Sequence, residues 1–238
     1  VPTVVIHENL IKRICNELKK SYEYGGIIFG VKERDHVKYL MAYFPPQPRA
    51  GYTCVFDSKA VLISRRALDE AYEIYEVPLL EMDWIHTHPN IGAFFSKIDR
   101  DTLKEIAVYK KNIIGIVVDP FRYEIKAFTI LDGQIKEIPV KIEDFTIDEK
   151  FYNAIPFVHH NIYINTVRKY GALKEFHITT PYEIRVVKSI PAVRREEGIK
   201  DLGELKEYID IKLNELREEI RKYKEELLQT IIRVNIEL

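Results

Sequence analysis

Residues 81–99 read EMDWIHTHPNIGAFFSKID. In a strand, successive side chains point to opposite faces, so residues two apart share one. Read that way, Leu80, Met82, Trp84, His86 and His88 lie on one side, and Glu81, Asp83, Ile85 and Thr87 on the other. The first side is apolar until its last two members, which are imidazoles. Pro89 has no N–H for a ladder and ends the strand directly after them. Two nitrogen ligands are thereby expected where a buried face reaches the rim of a sheet.

The next segment offers a carboxylate. Ser96 is placed to cap a helix whose apolar stripe is Leu103, Ile106 and Ala107, which puts Asp99 in its first turn. A capping box would have a Glu at that position, reaching back to the cap. Here the position holds a short Asp beside a strand end with two histidines. Two His and one carboxylate suffice for a catalytic zinc with one coordination position left open. A lone histidine at a strand end is more often a satisfied core or surface residue; the combination of HTHP with Ser96 and Asp99 weighs toward a metal site.

These residues carry a family resemblance. HTHPNIGAFFSKID fits H-x-H-P-x6-S-x-x-D and resembles the signature of the JAMM (MPN+) zinc metalloproteases, which include isopeptidases acting on ubiquitin and its relatives. Upstream, Glu23-Tyr24-Gly25-Gly26-Ile27-Ile28-Phe29-Gly30 is similar to that family's E-x-x-G-x-x-x-G segment. The resemblance covers roughly the first 145 residues. It implies an MPN (cytidine-deaminase-like) fold of the α/β or α+β class, a curved mixed sheet flanked by helices. It implies one Zn²⁺ held by His86, His88 and Asp99, with Glu23 as general base and then acid and Ser96 as an oxyanion donor. The implied reaction is hydrolysis of the amide bond at the C-terminus of ubiquitin or a ubiquitin-like modifier. Two alternatives stand beside it: a non-catalytic MPN scaffold subunit, whose members usually lack a zinc residue, and a zinc amidase of the same fold acting on a small molecule or a carrier protein.

Composition narrows the field. The chain has 238 residues, 46% of them hydrophobic, with 36 basic against 37 acidic side chains. No apolar run approaches the ~20 residues of a membrane span, and no basic stripe favours nucleic acid. Neither a signal peptide nor a cysteine framework is evident; Cys15 and Cys54 stand alone, which fits a reducing, cytoplasmic setting. An abundance of Ile, Lys, Glu and Tyr, with few Gln, resembles a thermophile's composition.

Taken in order, 2–6 is expected as a strand and 8–20 as an amphipathic helix through Leu10, Ile11, Ile14 and Leu18. Glu23 precedes a strand at 25–30, where Gly25 and Gly26 allow close backbone approach. Strands are expected at 37–44 and 52–56, separated by a Pro- and Gly-marked loop. A helix over 59–75, capped by Asp57 or Ser58, is expected to turn Val61, Leu62, Leu68, Ala71 and Ile74 inward. Residues 112–118 read as a buried central strand, and 123–130 with 134–140 as a hairpin about Asp132-Gly133.

Three segments are expected: a catalytic domain (1–145), an extension (146–198) and a long helix (199–238). The extension mixes helix over 150–175 with a strand at 182–190. The adjacent His159 and His160 diverge and are set aside as ligands. In the last segment Ile209, Leu213, Leu216, Ile220, Tyr223 and Leu227 follow a heptad seam, so 201–234 is read as a coiled-coil-like surface for a second copy, a partner helix or residues 150–190.

Overall fold

The alternating stretch around His86 forms β4, Glu81–Thr87, and its two faces separate as the period of two requires. Trp84 joins an apolar cluster with Phe95, Leu103, Val117 and Phe128. Ile85 joins a different one, with Leu10, Ile14, Ile28 and Ile116. The computed structural model describes residues 2–47, 58–77 and 80–184.

Among these residues the chain runs β1 (Thr3–His7), α1 (Glu8–Glu17), β2 (Gly25–Glu33), β3 (His36–Phe44), α2 (Ser58–Tyr75), β4, α3 (Lys97–Ala107), β5 (Ile114–Asp119), β6 (Glu124–Leu131), β7 (Gln134–Ile138), β8 (Val140–Glu143), α4 (Glu149–Tyr170) and β9 (His177–Thr179). The sheet order is β7-β6-β5-β4-β2-β3-β1-β8, with β9 paired to β3. Pairing is mixed: β4 runs parallel to β5 and antiparallel to β2. The expected hairpin is present, and positive φ at Asp132 and Gly133 supplies the turn.

β7 and β8 are one stretch of chain interrupted by Pro139, yet they lie at opposite ends of the strand order. β7 pairs with β6, and β8 with β1. The sheet therefore curves until its two ends share this segment. Pro139 has no N–H to give to either ladder, so it suits the crossover point, and its carbonyl accepts from Val4 N (2.9 Å).

Helices cover both faces. α1 buries Leu10, Ile11 and Ile14 on one. On the other, α2 and α4 enclose Ile27, Phe29, Met41 and Tyr43. The inward stripe of α2 differs from the expected one. Ala60, Ser64, Ala67, Leu68 and Ala71 are buried, whereas Leu62 and Ile74 are exposed. Small side chains occupy the contact with α4 because they let the two helices approach closely. Residues 149–179, read from the sequence as an extension, share the core of the first 145: β9 adds to β3, and Phe151, Ala154, Ile155 and Val158 pack with α2. Residues 182–184 are not in a strand. The expected strand at 52–56, the rest of 182–190 and the helix over 201–234 lie outside the described residues. Among the described residues no helix is long and apolar enough to cross a membrane.

Candidate metal centre

Three elements bring the site together. β4 delivers His86, and His88 follows at its carboxyl end. The loop 88–96 leads into α3, whose first turn carries Asp99. β2 lies antiparallel to β4 with Gly25 opposite His86. That pairing continues past the strand: Tyr24 N donates to Thr87 Oγ1 (3.0 Å), and Thr87 N donates to the Tyr24 carbonyl (2.8 Å). Glu23, one residue earlier, is thereby held beside His88. Gly26 permits the close approach of β3, since a Cβ there would stand 2.5 Å from the Tyr43 carbonyl oxygen.

His86, His88 and Asp99 are all buried, and their ligand atoms lie within 4.8 Å of one another. His86 Nε2 is 3.4 Å from Asp99 Oδ1, and His88 Nε2 is 3.8 Å from Asp99 Oδ2. Ligand atoms bound ~2.0–2.2 Å from a shared tetrahedral ion stand roughly 3.4 Å apart, so these separations fit one small cation. Among the described residues this is the one His/Cys/Asp/Glu group of three or more that can hold a metal. His159 and His160 do not join it.

Asp99 closes the capping box in place of the usual Glu. Its Oδ2 accepts from Ser96 N (2.7 Å), while Asp99 N donates to Ser96 Oγ (3.2 Å). One oxygen of Asp99 closes the box and the other faces His86. Burial alone would raise its pKa, but His86, His88 and Ser96 outweigh that and hold the carboxyl far below the usual carboxylate range.

The imidazoles differ. His88 Nδ1 lies 2.8 Å from the Gly92 carbonyl. A carbonyl only accepts, so Nδ1 carries the proton and Nε2 presents its lone pair to the site. Burial opposes charging His88, and Asp99, Gly92 and Glu23 together overcome it, so its pKa is raised. His86 is fully buried, and neither ring nitrogen has a hydrogen-bond partner. Burial lowers its pKa and keeps the ring neutral. A buried polar group without a partner costs about 1–3 kcal/mol, and a neutral imidazole with a free lone pair is what metal ligation needs. The donor set therefore fits a divalent ion of the zinc type, bound by nitrogen and oxygen.

Packing holds the His86 ring in place. Trp84 stacks on it (4.6 Å between centroids, 18° between planes), and Phe95 packs on both. Trp84 is 1% exposed and belongs to the core, as its side of the strand implied. Gly115 makes room for Phe95: a Cβ there would stand 2.5 Å from its ring. Glu23 Oε1 lies 3.8 Å from His88 Nε2, and Ser96 is half-buried at the cap. All five residues singled out in the sequence thus converge on one spot.

The sequence did not single out Thr87, Gly92, Asp119 or Glu124. They support the site through backbone groups, for which spacing carries no signal. The one visible hint is Asp119 itself, an acid directly after an all-apolar strand and before Pro120.

No family model matches the chain. Over 125 residues it is 26% identical to a probable ubiquitin thioesterase of Dictyostelium discoideum, covering 49% of this chain and 16% of that one. Over 196 residues it is 29% identical to COP9 signalosome complex subunit 5 of the same organism, covering 68% of this chain and 57% of the relative. The chain thus spans less than two thirds of either relative's length. Among solved structures, the solution structure of protein DSY2949 from Desulfitobacterium hafniense matches with a TM-score of 0.50 at 12% identity, covering 62% of this chain and 97% of that one, a likeness of fold. Together with the buried His86–His88–Asp99 group, the two sequence matches support the resemblance to the JAMM/MPN+ family. The mixed, nearly closed sheet between helices fits an MPN-like fold.

Proposed function

We propose that the chain is a zinc-dependent isopeptidase that hydrolyses the amide bond at the C-terminus of ubiquitin or a ubiquitin-like modifier. The observation that carries this reading is the convergence of His86, His88 and Asp99, with Glu23 and Ser96 at the edge of the same spot. The name of one sequence relative, a probable ubiquitin thioesterase, supports a ubiquitin-related substrate.

His86 Nε2, His88 Nε2 and an oxygen of Asp99 would hold the ion. When bound, zinc supplies Lewis acidity that brings a water's pKa toward about 7 and polarises a carbonyl. Glu23 takes the proton of the attacking water and passes it to the leaving amine. Its 3.8 Å separation from His88 Nε2 puts it beside the ligands, close enough to act on a water held there. Ser96 Oγ already accepts from Asp99 N. Its own O–H lies beside the Asp99 carboxylate and would turn from it to donate to the oxyanion of the tetrahedral intermediate.

The test is cleavage of a ubiquitin-like fusion by the purified chain. Chelator is expected to abolish cleavage and added zinc to restore it. Glu23→Gln is expected to keep stoichiometric zinc while losing about 10²–10⁴-fold in turnover. Wild-type turnover in that variant would remove Glu23 from the mechanism. Stoichiometric zinc retained in a His86→Ala, His88→Ala double variant would refute the ligand set.

A further inference from the structure

The loop between His88 and Ser96 is clamped by two carboxylates from a different part of the sheet. Asp119, at the end of β5, is fully buried. Its Oδ1 accepts from Phe121 N (2.9 Å) and Arg122 N (3.2 Å), which fixes the carboxylate plane. Its Oδ2 accepts from Gly92 N at 2.6 Å. Glu124, the first residue of β6, lies at the surface, and its Oε2 accepts from Ala93 N (3.1 Å). Arg122 completes the clamp by donating to the Asn90 carbonyl (3.0 Å) and side chain (3.3 Å).

The two carboxylates flank one carbonyl. The peptide group joining Gly92 to Ala93 gives its N–H to Glu124, and its C=O receives the Nδ1–H of His88. The peptide group before it gives its N–H to Asp119. Hydrogen bonds in a chain polarise one another. A carboxylate on the amide N–H makes that carbonyl a stronger acceptor, and a stronger acceptor commits His88 to the Nδ1–H form. Metal-binding histidines usually give their second N–H to a carboxylate or a backbone carbonyl. Here a carbonyl does so with a carboxylate behind it. Gly92 suits the position: its φ is +90°, and a Cβ would stand 3.2 Å from Glu124 Oε2.

We propose that Asp119 and Glu124 are positioning residues: acting through the Gly92 peptide groups, they set the tautomer and orientation of His88 so that Nε2 faces the metal. The consequence for metal affinity rests on the zinc reading above; the consequence for the tautomer does not.

The experiment uses the full chain and the variants Asp119→Ala, Asp119→Asn and Glu124→Gln. Imidazole ¹⁵N spectra of the metal-free protein report the His88 tautomer, competition against a chromophoric chelator reports zinc affinity, and thermal melting reports the fold. Wild type is expected to show a single Nδ1–H tautomer. Folded Asp119→Ala is expected to show mixed tautomers and about 10–100-fold weaker zinc binding, with Glu124→Gln shifted in the same direction by less. Should Asp119→Ala fail to fold, Asp119→Asn and Glu124→Gln decide by the same readings. Variants that melt lower but keep the wild-type tautomer and zinc affinity would overturn the proposal, leaving a structural clamp. If wild type takes up no zinc, the metal reading fails, and the tautomer comparison alone decides the positioning role.

Discussion

β4 buries ionisable groups at both ends, and the two ends treat them in opposite ways. Near its start, Asp83 is 2% exposed and accepts from Tyr39 Oη (2.8 Å), Lys110 Nζ (2.8 Å) and Ile114 N (2.9 Å). Near its finish, His86 is fully buried, and no hydrogen bond reaches either ring nitrogen. The two carboxylates also diverge. Burial pushes the Asp83 pKa up against the pull of Lys110, Ile114 N–H and Tyr39, while the imidazoles and Ser96 carry Asp99 far down. A buried polar group that is fully paired within the chain belongs to the fold. His86, without a hydrogen bond but grouped with His88 and Asp99, is where an ion would complete the structure. Three residues along the same strand separate the two cases.

This contrast can be broken by substitution at either end. The largest expected effect is at Asp83. Replacing it with Leu strips acceptors from Tyr39, Lys110 and Ile114 N–H and should cost about 3 kcal/mol or more of unfolding free energy. Urea melts showing a change well under that figure would mean the network is not holding the sheet. Next comes the ligand itself. Zinc at a hundred times its dissociation constant should stabilise the wild-type chain by about 2.7 kcal/mol, and should give no such gain to His86→Leu. A melting temperature that rises equally in both would place zinc elsewhere. The smallest effect sharpens the comparison most. In the metal-free protein His86→Leu should be within about 1 kcal/mol of wild type, because removing a polar ring without a hydrogen bond offsets what the buried Asp99 loses beside it. A large loss there would show that the pairing with Asp99 outweighs the cost of burying the ring.

Much of the site was legible because its signals are local. A period of two puts His86 and His88 on one face, and a helix cap at Ser96 puts Asp99 one turn further on. Both depend only on near neighbours along the chain. Glu23 was legible by resemblance alone; no spacing rule connects residue 23 to residue 88, and the mutual hydrogen bonds of Tyr24 and Thr87 that bring them together arise only once β2 pairs with β4. The inward face of α2 was misread at Leu62 and Ile74 because hydrophobicity outweighs size in a periodicity count, whereas a close helix contact selects Ala and Ser. Asp119 and Glu124 left little trace, since their partners are the N–H groups of Gly92 and Ala93, which nearly any residue could supply.

The sequence by itself determined which side chains can bind a metal and which face of each short element they occupy, because both follow from residue chemistry and from backbone periods of two and 3.6. Only the tertiary structure decided that the sheet curves until β7 and β8 meet through Pro139, that residues 149–179 join the core, and that carboxylates 27 residues beyond Gly92 and 31 beyond Ala93 in the chain hold the loop that aims His88. Those contacts depend on register and distance between segments remote in sequence, which no local pattern encodes.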